Sequence, residues 1–150
     1  MSRSLIEVAN TAVDLTSSPI DPAWIIEGDP IAQSKILSTS ADRLASTIVW
    51  QCSEGKFDWY YDCDETILIL EGSIVLESET LRPARYGPGD TIFFKYGAHA
   101  KWYVDDHVRK IAFCRKTQPV MLGFLVRVIS RVRRNLAPVR SRRHGSLMGS

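Results

Sequence analysis

The chain has 150 residues, room for one full domain and too few for two ordinary ones. With 45% hydrophobic and 24% charged residues it has the composition of a globular protein, which excludes wholesale disorder. No apolar run approaches the roughly 20 residues that cross a bilayer as a helix, and the opening MSRSLIEVANTAVDL does not read as a signal peptide. Cys52, Cys63 and Cys114 are odd in number, widely spaced and without a CxxC pair, so reduced thiols in a cytoplasmic protein are the expectation and a structural zinc site is not.

The net charge of +2 hides a sharp division. All 17 acids lie in residues 1–114, which carry a net −7, whereas residues 115–150 carry nine arginines and lysines and no acid. A tail of that sign seeks phosphate, an anionic membrane or an acidic protein face.

Taken in chain order, residues 1–45 read as an N-terminal arm. Pro19, Pro22, Gly28 and Pro30 punctuate it, which predicts irregular backbone with short extended pieces, and Trp24–Ile25–Ile26 gives it an apolar anchor. From 46 to 116 short β-rich runs recur at the spacing of sandwiches and barrels: STIVWQC, FDWYY, ETILILEG, SIVLES, DTIFFK, HAKWYV and VRKIAFC. Turn signals separate them at Ser53–Glu54–Gly55, Glu71–Gly72–Ser73, Gly87–Pro88–Gly89–Asp90, Tyr96–Gly97 and Asp105–Asp106. The prediction is an all-β domain, a compact antiparallel barrel or jelly roll. Gly72 is expected at a tight hairpin with positive φ, and Gly87–Asp90 at a type II turn. On ETILILEG, Ile67 and Ile69 share the face of Glu65 while Thr66, Leu68 and Leu70 take the other, so the strand is covered on both sides.

Residues 117–137 switch to helical period between Pro119 and Pro138, with Arg127, Arg131 and Arg134 on one face and Met121, Leu125, Val128, Val132 and Leu136 opposite. Residues 138–150 are basic and turn-rich and are expected to be a disordered tail. The apolar stripe can pack on the domain itself. It can also lie in an anionic membrane interface, where each arginine, Arg133 included, adds about 1 kcal/mol. Nucleic acid is disfavoured, because Phe124 is the only aromatic in the tail to stack on a base.

The run DETILILEG, with Glu65 and Gly72 seven apart, and the run GPGDTIFFKYGAHAKW, opening on Gly89–Asp90, resemble the two motifs of the cupin superfamily. They look most like the branch that includes ureidoglycine aminohydrolase and the ethanolamine-utilisation protein Q, where a Trp commonly follows the second-motif glycine as Trp102 does here. The segment PIDPAWIIEGDP is also similar to N-terminal arms of that branch. The resemblance implies a single cupin barrel. Metal-binding cupins use three His and one Glu, which fall here on Asp58 and Tyr60 or on Trp59 and Tyr61, on Glu65, and on Ala100. One ligand in four predicts no metal of the usual kind and no cofactor. His99 sits one position from Ala100, and strand alternation turns it outward with Lys101 and Tyr103 while Trp102 points in. The acidic run Asp58, Asp62, Asp64, Glu65 has no spacing that fixes a coordination shell.

These readings converge on a cupin binding a small molecule in a cavity lined by Trp59, Tyr61, Glu65, Ile67 and Trp102. Glu65 is the candidate catalytic group, because burial beside Tyr61 would raise its proton affinity. A metal-dependent enzyme resembling ureidoglycine aminohydrolase, and a module recruited to the inner face of a membrane by Arg127, Arg131, Arg133 and Arg134, are the alternatives. A C₂ homodimer through the sheet face and the Trp24–Ile26 anchor is the expected assembly. Cys63 and Cys114, without a partner base, read as small buried hydrophobes.

Overall fold

The computed structural model describes residues 4–117 together with Val128, Ile129, Arg131 and Val132. The described residues up to Thr117 form one compact unit. The expected C-terminal helix and tail lie outside the described residues, apart from those four positions, which are helical.

Among the described residues nine strands form a single antiparallel sheet: β1 (Thr16–Ser17), β2 (Ile25–Glu27), β3 (Ala32–Thr39), β4 (Ala45–Tyr60), β5 (Asp64–Gly72), β6 (Ile74–Glu77), β7 (Ala84–Tyr86), β8 (Thr91–Phe94) and β9 (His99–Arg115). The order β1-β3-β4-β9-β5-β8 runs along one path, while β2 adds to β4 and β6 links β9 to β7. Two of the strands are far longer than the 5–6 residues usual for a strand. STIVWQC and FDWYY, expected as separate strands, are both parts of β4, and HAKWYV and VRKIAFC are both parts of β9.

The two long strands pair from Ala45↔Arg115 to Tyr60↔His99, with one shift of register between Ser53 and Gly55. Ser53–Glu54–Gly55 is therefore a β-bulge and not a turn, and Asp105–Asp106 lies within β9. A bulge bends its strand and adds twist, so each long strand serves both halves of a jelly roll without leaving the ladder. Towards Arg115, β9 pairs with β5; towards His99, it pairs with β6. Gly55 is required at the bend, because a Cβ there would meet the Pro30 ring at 2.7 Å.

The arm is more regular than its prolines suggest. Its β3 pairs with the first half of β4 from Ala32↔Cys52 to Thr39↔Ser46, and Ile20 and Ala32 enter the core. Asp21 caps a 3₁₀ turn over Pro22–Trp24, its carboxylate accepting from the Ala23 N–H at 2.9 Å. That turn seats Trp24 edge-on against Trp59 and Tyr60, both at 5.3 Å between centroids. Trp24 and Ile25 thus pack on their own domain, and of the expected anchor only Ile26 is exposed.

Alternation sets what fills the interior. On β9 the even positions Ala100, Trp102, Val104, Val108, Lys110 and Ala112 are buried; on β5 the odd positions Ile67 and Ile69 are; on β4 Phe57 is fully buried. Trp50, Phe57, Phe94 and Trp102 stack or meet edge to face at 5.9–6.3 Å, the spacings aromatic pairs prefer.

The turns divide. Gly87–Asp90 is the expected type II turn: the Asp90 N–H donates to the Gly87 carbonyl at 3.0 Å with Gly89 at φ +91°. Gly72 has its expected positive φ of +73°, but for another reason. β5 and β6 do not pair with each other, so no hairpin closes there. A side chain at Gly72 would collide with the His107 carbonyl of β9, so two backbones meet at that point. Gly89 has open space around its missing Cβ. Gly89→Ala should therefore cost only the left-handed backbone penalty of about 1–2 kcal/mol. Gly72→Ala should cost clearly more, above about 3 kcal/mol, since β9 must shift as well. Urea melts of the two variants check the ranking.

Candidate functional site

Strand pairing builds the site. Glu65 near the start of β5 lies directly opposite Cys114 near the end of β9, and Lys110 is four residues, two pleat periods, back along the same inward face. The Glu65 carboxylate divides its oxygens between them. Its Oε1 accepts from the Cys114 thiol at 3.1 Å, and its Oε2 lies 3.5 Å from the Lys110 ammonium. Both charged side chains are withdrawn from water, at 12% and 6% exposure. The Lys110 ammonium also sits over the indoles of Trp50 and Trp102, 4.8 and 4.7 Å from the ring centroids. A cation over an aromatic face regains part of the hydration it has lost.

Tyr61 and Trp102 form the adjoining wall. The Trp102 Nε1–H donates to the Tyr61 hydroxyl at 3.2 Å, and the Tyr61 ring stacks on Phe94 at 4.1 Å. Burial, and then the nearby Glu65 charge, hold the Tyr61 hydroxyl well above its ordinary proton affinity, so it is a neutral phenol throughout the physiological range. The same two causes raise Cys63 and Cys114, while Cys52 is pushed up to about 12 by burial. All three are thiols at neutral pH, poor nucleophiles as they stand.

Of the five side chains expected to line one cavity, Tyr61, Glu65, Ile67 and Trp102 share the interior. Trp59 is half-buried in an aromatic group with Trp24, Trp50 and Phe57 at 5.3–6.1 Å. The interior wall is close-packed aromatics. A groove of about 450 Å³ opens at the strand ends instead, bordered by Ser38, Thr39, Ser40, Ala45, Ser46 and Thr47 with Phe113, Cys114 and Arg115. Cys114 belongs to both the groove and the Glu65 cluster.

The positions that hold an ion in metal-binding cupins resolve to Trp59 and Tyr61, Glu65, and Ala100, since Asp58 and Tyr60 face outward. Only Glu65 matches the ligand type expected at its position, and no histidine stands at the others, so these residues do not fit the three-histidine site. His99 is on the outer face, its Nε2 2.8 Å from Asp58 and its ring stacked on Tyr60 at 4.5 Å. His107 is exposed beside Asp106 and Glu71. Arg127, Arg133 and Arg134 lie outside the described residues.

Sequence reasoning missed Lys110, Cys63 and Cys114. Alternation from Trp102 puts Lys110 inward, a signal available in the sequence. The approach of Cys63 to Glu65 and Cys114 depends on the β5–β9 register, which no local pattern encodes.

A jelly roll with these two motifs and an inward Glu on its motif strand defines a cupin. Residues 39–112 match the EutQ-like cupin domain, and the chain carries that domain. A protein of unknown function of the DUF861 family from Pseudomonas syringae superposes with a TM-score of 0.64 at 27% identity, over 70% of this chain and 46% of the other. The chain thus spans about half the length of that relative. A putative ethanolamine utilization protein Q from Salmonella typhimurium (19% identity, TM-score 0.52) and the EutQ protein of Clostridium difficile (16%, 0.52) each align over 70% of this chain and over 96% and 97% of their own; they share its fold. No curated protein matches the sequence.

The buried pair sets its own stability test. Glu65→Leu should cost about 3–5 kcal/mol by leaving the Lys110 charge unpaired, and adding Lys110→Met should recover most of that loss. Thermal melts of the single and double variants check it.

Proposed function

We propose that this cupin domain binds a small anionic or carbonyl-bearing molecule at the Glu65–Lys110 pair. One observation supports the reading above others: a buried ion pair stands where well-packed apolar side chains would serve stability as well or better. Lys110 has three N–H donors, and among the described residues Glu65 alone accepts from it. Its remaining donors suit a carboxylate or carbonyl oxygen, Glu65 suits a hydroxyl or amide N–H of the same molecule, and Tyr61 and Trp102 supply flat apolar walls. Such a mixture of apolar lining and few convergent polar groups is typical of small-molecule sites. The groove bordered by Cys114 offers the approach from solvent.

A second reading concerns the tail, and the charge division of the sequence favours it. Nine cations without an acid after residue 114, four of them Arg127, Arg131, Arg133 and Arg134 on a segment of helical period, suit an anionic membrane surface.

A thermal-shift screen of small carboxylates and carbonyl compounds tests the first reading. A ligand at a hundredfold above its Kd should raise Tm by about 5–10 °C, and Lys110→Met should abolish the shift. Stabilisation confined to compounds without an acceptor, or unchanged in Lys110→Met, would refute it. For the second, full-length protein should float with phosphatidylserine vesicles, and added salt or replacing the four arginines with Gln should release it.

A further inference from the structure

We propose that Cys63, Glu65 and Cys114 form a three-ligand site for a thiophilic divalent cation, zinc foremost, at the end of the jelly roll. The inference goes beyond the small-molecule reading; Cys63 and Cys114 are its own ligands, while Glu65, the neighbouring Lys110 charge and the groove are common to both. None of the positions 59, 61 and 100 takes part.

The geometry follows from strand arithmetic. Cys63 and Glu65 are two apart and so share one face at the entry to β5, while Cys114 is the cross-strand partner of Glu65 on β9. One ligand atom from each lies within 4.8 Å of the other two. Tetrahedral zinc holds sulfur at about 2.3 Å and carboxylate oxygen at about 2.0–2.2 Å, so its ligand atoms are roughly 3.3–3.8 Å apart. The Cys114–Glu65 contact, at 3.1 Å, is already that close. The remaining adjustment is of the size of side-chain rotation. A fourth position is left for water or for a donor atom of a bound molecule.

Charge and donor chemistry agree. A divalent ion with two thiolates and one carboxylate carries −1, and the adjacent Lys110 ammonium brings the group to zero. Two thiols with the Glu65–Lys110 pair also total zero. Uptake therefore releases two thiol protons to solvent, forms two metal–sulfur bonds and leaves the net buried charge unchanged, as a poorly hydrated site demands. The divided carboxylate allows this, since Oε1 faces Cys114 while Oε2 keeps Lys110. Two thiolates select zinc or cadmium over magnesium and calcium. Cys114 also borders the groove, which gives an ion its way in.

The test uses full-length protein, reduced and stripped with chelator, with all three cysteines first titrated as free thiols. Cobalt(II) should bind one per chain, with the thiolate-to-cobalt charge-transfer band and the visible bands of a four-coordinate ion, and zinc should bleach both. Cys63→Ser and Cys114→Ser should each weaken zinc by at least about a hundredfold in competition with a chromophoric chelator, the upper end of what loss of an outer partner costs. Cys52→Ser should keep the band. Wild-type protein without a charge-transfer band overturns the proposal whatever the variants do, as does a band that survives Cys114→Ser. A titre of one free thiol in protein isolated without reductant, rising to three on reduction, overturns it too, in favour of a Cys63–Cys114 disulfide. Lys110→Met removes the small-molecule response and leaves the metal group at −1, so it should change cobalt affinity yet keep the thiolate-to-cobalt band at saturating metal, and the two readings fail separately.

Discussion

The ladder between β4 and β9 is the constraint on which the rest of the molecule hangs. It runs from Ala45↔Arg115 to Tyr60↔His99, and every other strand except β1, β7 and β8 pairs with one member of it. Because side chains alternate, this one register decides what the interior contains. With β9 as it stands, Trp102, Lys110 and Cys114 point in and His99 points out. A slip by one residue would exchange them, burying His99, Tyr103 and Phe113. The bulge at Ser53–Gly55 lets the ladder bend without losing that phase, and Pro30 against Gly55 holds the bend from the arm side.

On that scaffold the polar groups of the interior form one chain of contacts: Cys114 to Glu65 to Lys110, with Lys110 over two indoles and one of those indoles bonded to Tyr61. Among the described residues no buried side-chain nitrogen or oxygen lacks a partner. A polar network in which every buried group has at least one partner favours one arrangement of a core, whereas groups left with none destabilise it. The network thus holds its members at fixed separations, which is what a binding site requires of its first contacts. It does so beside an aromatic wall whose rings have little freedom to turn.

Much of this was legible before any coordinates. The period of two from residue 46 onward gave the all-β class, and Glu65, Gly72 and Gly89–Asp90 at their spacings gave the cupin family. Alternation gave Trp102 inward and His99 outward. What escaped was non-local. Ser53–Glu54–Gly55 and Asp105–Asp106 have turn composition, yet each is carried through a strand because its partner strand continues opposite. Prolines at 19, 22 and 30 suggested irregular backbone, but β3 begins just beyond the last of them and is held by β4. Gly72 was assigned a positive φ correctly and a hairpin wrongly, since the carbonyl that crowds it lies 35 residues away on β9. Cys63 and Cys114 looked solitary for the same reason.

The long ladder has a consequence for how the chain reaches this state. Residue 45 cannot find its partner until residue 115 exists, and the nearest contact between β4 and β9 still spans residues 60 to 99. Loops of that length must close before their pairing returns any free energy, so the entropic cost comes early and the reward late. During synthesis the exposed flank of β4, with Trp50, Phe57 and Trp59, has only β2 and β3 as neighbours until β9 arrives. Growth of the polypeptide therefore offers no stable halfway structure, and the apolar side of β4 is the surface a chaperone would have to shield in that interval.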